Sequence, residues 1–196
     1  MLIVIPAAGA SSRMRGRDKL LELVDYQPLL AQRIAVALET GADVLVTLPP
    51  DNPERRAIAE GIVDDRLDLV IVDDAAEGMA ASIRAAAAFA QQQDADALML
   101  VLADMPEIDV NDLRTMMRAF DSETVMRGMD TRERPGHPVL FPARLFPALA
   151  EVSGDQGARD VLADEKVVMI PLPDCHATTD LDTPEDWAAW RGPNSP

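Results

Sequence analysis

Residues 2–19 read LIVIPAAGASSRMRGRDK, an apolar run that leads straight into a loop of small residues and cations. The apolar part, residues 2–6, predicts a buried β-strand. The window 11–19 then holds four cations and one acid, where an even spread of the chain's cations would put about one. Backbone N–H groups approach an anion closely where side chains are small, and nearby cations neutralise it. The stretch therefore predicts a strand followed by a loop suited to a phosphate-bearing ligand.

This loop matches neither of two familiar phosphate-binding patterns. It lacks the G-x-G-x-x-G of a dinucleotide-binding turn, and no Gly-Lys-Ser/Thr follows as in a Walker A loop. An ordinary connection between a strand and a helix, with solvated cations, explains the charge density equally well. Other segments of the chain have to decide between these two interpretations.

The composition restricts the class of protein. A chain of 196 residues that is 48% hydrophobic is long enough to bury one good core and is not expected to be disordered. Its net charge of −16 argues against binding to nucleic acid or to an anionic membrane, because those surfaces repel an acidic protein. The single cysteine, Cys175, has no partner for an internal disulfide, and no stretch has the length of a membrane span. We therefore expect a cytoplasmic protein, and a small anionic ligand in a locally basic cleft is compatible with this charge.

Strand and helix signals alternate along the chain. Apolar runs such as 44–48 and 98–102 are continuous, which is typical of a parallel sheet covered by helices on both faces. The expected fold class is α/β, a single-domain three-layer sandwich around a mostly parallel, twisted, Rossmann-like sheet. We expect one domain over residues 1–191 and a flexible tail over residues 192–196. The predicted strands are 2–6, 44–48, 69–72, 98–102, 124–126, 139–141 and 167–170, and the predicted helices are 29–40, 53–61, 79–93, 110–120, 157–162 and 184–190.

One aspartate follows a buried strand, where such a sheet binds ligands, and a later segment offers a second carboxylate. Asp104 follows the buried run 98–102, and Asp182 lies in the segment DLDTPED, residues 180–186. Mg²⁺ is typically held by one or two carboxylates plus substrate phosphates. Each aspartate also has a purely structural interpretation, as a turn residue or as part of a helix start. The pair is thus a candidate Mg²⁺ site.

Three further segments contain candidate ligand-binding residues. Gly78 precedes the helix 79–93, which would turn Ser82 toward a ribose or a base, although a plain turn into a helix explains the segment as well. His137 lies in GHPVLF, residues 136–141, and a lone histidine is usually structural. The segment GDQGAR, residues 154–159, is equally explained as a loop into a helix. None of these segments decides the function alone.

The order of the segments points to a family. The chain resembles the nucleotidyltransferases that build dinucleotide forms of the molybdenum cofactor, and more narrowly the molybdenum cofactor cytidylyltransferases. Six motifs typical of that family occur here in the family's order, and GHPVLF and GDQGAR are the more discriminating ones. The six are AAGASSRMRGRDK (7–19), GMAASI (78–83), LADMP (102–106), GHPVLF (136–141), GDQGAR (154–159) and DLDTPED (180–186).

The resemblance implies a fold like that of nucleotide-diphospho-sugar transferases and a Mg²⁺-dependent transfer of CMP from CTP to the terminal phosphate of molybdopterin, with release of pyrophosphate. It assigns Mg²⁺ to Asp104 and Asp182, and catalysis to Arg13, Lys19 and Asp104, with Lys19 nearest the α-phosphate. It also implies a transient contact with a molybdoenzyme or its chaperone. The nucleotide-binding residues that it implies are Ala7, Ala8, Gly9, Ser11, Ser12, Arg13, Lys19, Gly78, Met79 and Ser82, and the acceptor-binding residues are His137, Asp155 and Arg159.

Two departures from the family pattern concern the substrates. Pro6 stands where the family usually has Leu, and residues 5–9, IPAAG, also resemble the cytidylyltransferases of isoprenoid precursor synthesis. Guanylyl-transferring relatives usually have Gly where this chain has Ala8, and the extra methyl would narrow the base pocket, which favours a pyrimidine. The open alternatives are cytidylyl or uridylyl transfer to a sugar or isoprenoid phosphate, the use of GTP, and a non-catalytic nucleotide-binding partner in molybdoenzyme maturation.

Overall fold

The computed structural model describes residues 1–154 and 158–192, and a seven-stranded sheet lies at its centre. Asp155, one of the expected acceptor-binding residues, and residues 193–196 of the expected tail lie outside the described residues. The strands are β1 (Leu2–Pro6), β2 (Leu23–Val24), β3 (Gln27–Pro28), β4 (Asp43–Leu48), β5 (Leu67–Ile71), β6 (Ala97–Leu100), β7 (Val125–Met129), β8 (Pro135–Pro142) and β9 (Val167–Pro171). The helices are α1 (Leu29–Leu38), α2 (Pro53–Glu60), α3 (Met79–Gln92), α4 (Val110–Ala119), α5 (Phe146–Leu149), α6 (Arg159–Ala163) and α7 (Pro184–Arg191).

The sheet is mostly parallel, as predicted. Its strand order is β5-β4-β1-β6-β8-β7-β9, and β2 and β3 form a separate hairpin. Strand β8 pairs antiparallel with both of its neighbours, while the other pairs in the sheet are parallel. The carboxyl ends of β1, β4 and β6 therefore meet at one edge, where an open α/β sheet offers its ligand crevice.

Helices cover both faces of the sheet, which explains why β1 is apolar at every position. Ile3 and Ile5 belong to the core formed with α1, α2, α4 and α7. Leu2 and Val4 belong to the core on the opposite face, formed with α3, α5 and α6. All four side chains are buried. A strand enclosed on both sides needs apolar residues in both orientations, so the run is continuous rather than alternating.

Side-chain caps define the first residue of three helices, α2, α4 and α7. The side chain of Asn52 caps α2, which begins with Pro53. Asp109 and Thr183 cap α4 and α7, each in a reciprocal capping box with an aspartate at the third helical position. The cap at Thr183 ends the segment that carries Asp182, so the local sequence defines the position of that carboxylate.

The structure differs from the sequence-based expectation most clearly at β8. The expected strand covered only residues 139–141, whereas β8 has eight residues and runs antiparallel. Its first half lies against the loop around Ala177, whose carbonyl accepts a hydrogen bond from the His137 N–H at 2.8 Å. A Cβ at Gly136 would lie 1.7 Å from the same carbonyl oxygen, so only glycine fits there. This contact joins distant parts of the chain, and local apolar patterning does not reveal it.

No helix within the described ranges combines the length and the apolar character that a bilayer crossing requires.

Candidate active site

One lysine joins the two candidate metal ligands. The Lys19 Nζ donates to Asp104 Oδ2 at 2.5 Å and to Asp182 Oδ1 at 2.8 Å. The Arg13 guanidinium pairs with the second oxygen of Asp182, with Nη1 2.8 Å from Oδ2. A backbone hydrogen bond from the Leu181 N–H to the Asp104 carbonyl, 3.0 Å long, ties the two aspartate segments together. Residues far apart in the chain thus converge at the edge of the sheet.

These charges are partly withdrawn from water. The side chains of Lys19, Asp104 and Asp182 are 15–17% exposed, whereas that of Arg13 is 67% exposed. Burial alone would lower the pKa of Lys19, but the negative charges and hydrogen bonds of Asp104 and Asp182 raise it above its ordinary value. Burial and the nearby charges of Asp182 and Asp104 raise the pKa of Asp180. The site therefore holds a fixed cation among carboxylates that repel one another.

The donor set fits a divalent ion that is shared with a substrate. Oδ1 of Asp104 is buried and has no hydrogen-bond partner among the described residues, so one carboxylate oxygen is available for a ligand. Within residues 1–154 and 158–192, no group of three or more His, Cys, Asp or Glu side chains is arranged to hold a metal ion. Mg²⁺ characteristically uses one or two carboxylates and completes its shell with water and phosphate oxygens. Asp104 and Asp182 meet that requirement, and they would hold the ion together with a phosphate ligand.

The residues expected to bind the nucleotide surround a cleft beside this site. Gly9, Lys19, Gly78, Met79, Ser82 and Asp104 line a cavity of about 80 Å³. A wider cleft of about 740 Å³ continues over the first loop and is lined by Ala8, Gly9, Ser11 and Ser12 on one side and by residues 49–55 on the other. Ala7 is buried beneath the loop. The structure thus brings the expected set into one region, and their individual roles stay predictions.

Arg55, which the sequence analysis did not single out, holds the first loop in shape. Its Nε and Nη2 bind both carboxylate oxygens of Asp18, each at 2.7 Å. Its Nη1 donates to the carbonyls of Ala7 at 2.6 Å and Gly9 at 2.7 Å, and its Nη2 also donates to the Ser11 Oγ at 2.9 Å. Arg55 is only 2% exposed. Because one guanidinium binds both ends of the loop, its backbone is held in a single arrangement.

Asp18 has lost part of its hydration. Burial alone would raise its pKa, but hydrogen bonds from Arg55 and from the Leu20 N–H outweigh burial and hold the pKa below the ordinary value. The sequence positions of Asp18 and Arg55 could have indicated that they pair. Asp18 precedes Lys19 in the loop, and Arg55 lies in the first turn of a helix that begins at the same sheet edge.

The four cations of the first loop all have carboxylate partners. Arg15 pairs with Glu185 at 2.5 Å and Arg17 with Glu22 at 3.2 Å, both at exposed positions, while Arg13 and Lys19 face the aspartates described above. Arg15 and Arg17 are therefore surface cations, 71% and 57% exposed. Of the four cations of the first loop, only Arg13 and Lys19 therefore contact the aspartates of the candidate site.

Two of the expected acceptor-binding residues, His137 and Arg159, lie within the described residues, and His137 is in β8, on the side of β6 away from β1 and its loop. His137 is largely buried, and its Nδ1 has no hydrogen-bond partner among the described residues. Burial, together with the charge of Arg127, lowers the pKa of His137 to about 4. Arg159 lies exposed at the start of α6. His137 is therefore neutral near pH 7.

The sequence matches the model of one known protein family over most of its length. The family model of the MobA-like NTP transferase domain matches residues 3–168. The chain belongs to this family. As a member of it, the chain is an enzyme, a nucleotidyltransferase of the MobA-like type.

Relatives of this MobA-like transferase match it over nearly their whole length. The purine catabolism protein PucB of Bacillus subtilis is 26% identical over 192 residues, which cover 94% of this chain and 92% of PucB. A probable molybdenum cofactor guanylyltransferase of Synechococcus elongatus is 25% identical over 190 residues, which cover 93% of this chain and 94% of the relative.

Solved structures of Rv0371c from Mycobacterium tuberculosis share the fold of the transferase. One is 27% identical, covers 95% of each chain and has a TM-score of 0.80. Another, a complex with manganese, is 26% identical, covers 95% of each chain and has a TM-score of 0.75. A solved relative of this chain thus occurs as a complex with manganese.

Proposed function

We propose that this transferase is a Mg²⁺-dependent cytidylyltransferase that moves CMP from CTP to the terminal phosphate of molybdopterin and releases pyrophosphate. The observation that carries the proposal is Lys19, which lies between Asp104 and Asp182 at the mouth of the cavity formed with Gly78 and Ser82. A cation, two carboxylates and a nucleotide-sized cleft at one sheet edge are the parts that transfer between phosphates requires.

The chemistry needs positioning more than proton transfer. An oxygen of the acceptor phosphate attacks the α-phosphorus, a new P–O bond forms, and the bond from the α-phosphorus to the bridging oxygen breaks, so that the electron pair leaves with pyrophosphate. The attacking phosphate is already an anion at neutral pH, and no general base is required. The low pKa of His137, about 4, agrees with this, because such a group is a weak base.

Each side chain of the site has a corresponding role in this proposal. Lys19 and Arg13 neutralise the phosphates, and Lys19 acts nearest the α-phosphate. Mg²⁺, held by Asp104 and Asp182, would supply charge neutralisation between substrate oxygens. The backbone of residues 7–12, fixed by Arg55, wraps the triphosphate, and Gly78, Met79 and Ser82 line the base and ribose.

The choice of CTP rests on Ala8. Ala8 packs against Val72 and Ala81, where the first loop meets the start of α3, and it also lines the wider cleft. A methyl at this place reduces the room for a base, and a pyrimidine is smaller than a purine. GTP is the second candidate, favoured by the Synechococcus relative named as a probable guanylyltransferase.

Molybdopterin as the acceptor is supported by that same relative and by the motifs GHPVLF and GDQGAR. Within this proposal the enzyme acts in the cytoplasm and contacts a molybdoenzyme or its chaperone transiently, since its product has to be inserted into an apoenzyme. Sugar and isoprenoid phosphates remain the alternative acceptors of the same reaction.

The decisive experiment measures pyrophosphate release with MgCl₂, molybdopterin and either CTP or GTP, and identifies the dinucleotide product by mass spectrometry. We expect release with CTP and molybdopterin, and none with Asp104→Ala that still folds by circular dichroism. Near wild-type turnover of Asp104→Ala would overturn the metal assignment. Binding of CTP without any pyrophosphate would favour the non-catalytic maturation partner, and turnover only with a sugar or isoprenoid phosphate would overturn the acceptor.

The variant Ala8→Gly tests the base. Removing the methyl should bring the kcat/KM values for CTP and GTP closer together, because the space beside Val72 and Ala81 becomes larger. The measurement is the ratio of kcat/KM for the two nucleotides in wild type and variant. An unchanged ratio would show that the base is recognised elsewhere.

A further inference from the structure

A second cationic region lies on the side of Asp104 away from the first loop, because the strand order β1-β6-β8-β7 puts the strand before Asp104 between the two. Arg127 lies in β7, between β8 and β9, with Val139 and Met169 as its strand partners. Its neighbour Val125 packs in the core beneath α6, so Arg127 shares the sheet face on which Arg159 begins that helix. Arg127 belongs to none of the six sequence motifs.

Among the described residues, only the Nε atom of the Arg127 guanidinium has a hydrogen-bond partner. Its Nε donates to the Gly136 carbonyl at 2.9 Å, which fixes the plane of the guanidinium beside His137. Its Nη1 and Nη2 make no hydrogen bond to any residue in the ranges 1–154 and 158–192, although the side chain is only partly exposed. A guanidinium held in this way presents a pair of donors with the spacing that phosphate oxygens accept.

The electrostatics around Arg127 are unfavourable without an anion. Burial lowers the pKa of Arg127, and the nearby positive charge of Arg159 lowers it further. No carboxylate of the described residues lies within ion-pair distance of Arg127 or Arg159, in contrast to the cations of the first loop. Two neighbouring cations in a chain of net charge −16 are best accounted for by an anionic ligand.

The position of Arg127 in the sheet indicates which anion it binds. In the strand order β1-β6-β8-β7, Asp104 follows β6 and His137 lies in β8, so this histidine lies between the strand of Arg127 and the segment of the candidate metal carboxylate Asp104. The triphosphate is expected on the opposite side, against the first loop. We propose that Arg127, together with Arg159, binds the phosphate monoester of the acceptor and orients it toward the nucleotide; this inference rests on the proposed function.

A phosphate monoester suits this region for a chemical reason. It carries up to two negative charges and three terminal oxygens, enough to bind the two guanidinium groups and leave one oxygen free. The free oxygen is the nucleophile of the proposed transfer. Arg127 therefore acts as a residue that binds and positions the acceptor, and we expect no effect of its loss on nucleotide affinity.

The test uses inorganic phosphate as the probe. The full-length protein is saturated with Mg²⁺ and a CTP analogue whose α–β bridge does not hydrolyse, which fills the triphosphate site, and phosphate binding is followed by ³¹P NMR. We compare wild type with Arg127→Gln and Arg127→Lys. The matched control is Arg114→Gln, because Arg114 is also partly exposed and donates to a single backbone carbonyl, that of Glu39, on the opposite face of the sheet.

We expect Arg127→Gln to weaken phosphate binding about tenfold or more, the scale for loss of a charged hydrogen-bond donor. Arg127→Lys should be intermediate, and Arg114→Gln and the affinity for the analogue should be unchanged. Phosphate binding by Arg127→Gln that stays within about twofold of wild type, or an equal loss in Arg114→Gln, overturns the inference.

Failure of the proposed function gives a different result. If wild type does not bind the analogue, the proposed function fails, and the same comparison of variants is then made on the free protein. If wild type binds the analogue and only the phosphate comparison fails, the subsite is wrong and the proposed function stands.

Discussion

Lys19 links the two aspartates of the candidate site through a single atom, its Nζ. Its Nζ contacts Asp104 and Asp182 at once, and its pKa lies above the ordinary value, so the side chain is charged throughout the neutral range. We expect Lys19→Ala to lower kcat by about two to three orders of magnitude, because it removes the donor closest to the charge that develops on the α-phosphate. Steady-state pyrophosphate release with CTP and acceptor measures this effect.

The control for Lys19 is Arg15 in the same loop. Arg15 is 71% exposed and pairs with Glu185 on the surface, so Arg15→Ala should leave kcat nearly unchanged. A decrease of less than about threefold in Lys19→Ala, or a similar decrease in both variants, would mean that Lys19 has no specific role in the transition state.

Helix α2 stabilises the first loop through Arg55. This side chain is almost fully buried and its partner Asp18 is 16% exposed, so removing the guanidinium leaves a carboxylate poorly hydrated and unpaired. We expect Arg55→Met to lower the free energy of unfolding by about 3 kcal/mol. Chemical denaturation measures it, and Arg56→Met is the matched control, since the Arg56–Glu60 pair on the same helix is exposed and worth about 0.5 kcal/mol or less.

The pH dependence of this pair has a definite sign. The pKa of Asp18 is lower in the folded protein than in the unfolded chain, so the stabilisation is fully present above pH ~4 and is lost as the pH falls through the folded value. The difference in unfolding free energy between wild type and Asp18→Asn should therefore narrow below pH ~4. A difference that stays constant down to pH ~2 would contradict a stabilising role of the ionised form.

Elements with a strong local signal were predictable from the sequence. The continuous apolar runs predicted β1, β4 and β6 because each is buried on both faces, and the predicted starts of the helices 110–120 and 184–190 match α4 and α7, whose capping boxes are local patterns. The closeness of Asp104 and Asp182 was implied only by the family resemblance, whereas the rule that carboxyl ends of parallel strands share one edge places Asp104 beside the first loop.

What the sequence did not show depends on contacts between distant segments. The direction and length of β8 follow from its pairing with β6 and β7 and from the loop at Ala177. Arg55 and Arg127 are ordinary arginines in the sequence, and only the folded chain puts one beneath the first loop and the other beside His137. The hairpin β2–β3 has strands of two residues each, too short for a periodic signal.

At the scale of the whole molecule, two electrostatic effects oppose each other in acid. The net charge of −16 destabilises the compact state, and protonating carboxylates relieves that repulsion. Several carboxylates, however, have lowered pKa values in the folded protein, among them Asp18, Asp121, whose pKa is about 2, and Asp186. Protonating these groups removes native hydrogen bonds. Asp180, with a raised pKa, acts in the opposite direction.

The local contacts should outweigh the diffuse repulsion. Each lowered carboxylate loses specific hydrogen bonds when it is protonated, whereas repulsion between surface charges is screened beyond about 8 Å at physiological ionic strength. We expect the melting temperature to change little between pH 8 and about pH 5.5, and to fall steeply below about pH 4, where the lowered carboxylates begin to take up protons that the unfolded chain already binds. Thermal melts followed by circular dichroism test this, repeated with added NaCl, which should raise the melting temperature at pH 8 by screening the acidic surface. A melting temperature that rises as the pH falls from 5 to 3 would show that self-repulsion, and not the carboxylate contacts at the sheet edge and in the loops, dominates the stability of this acidic transferase.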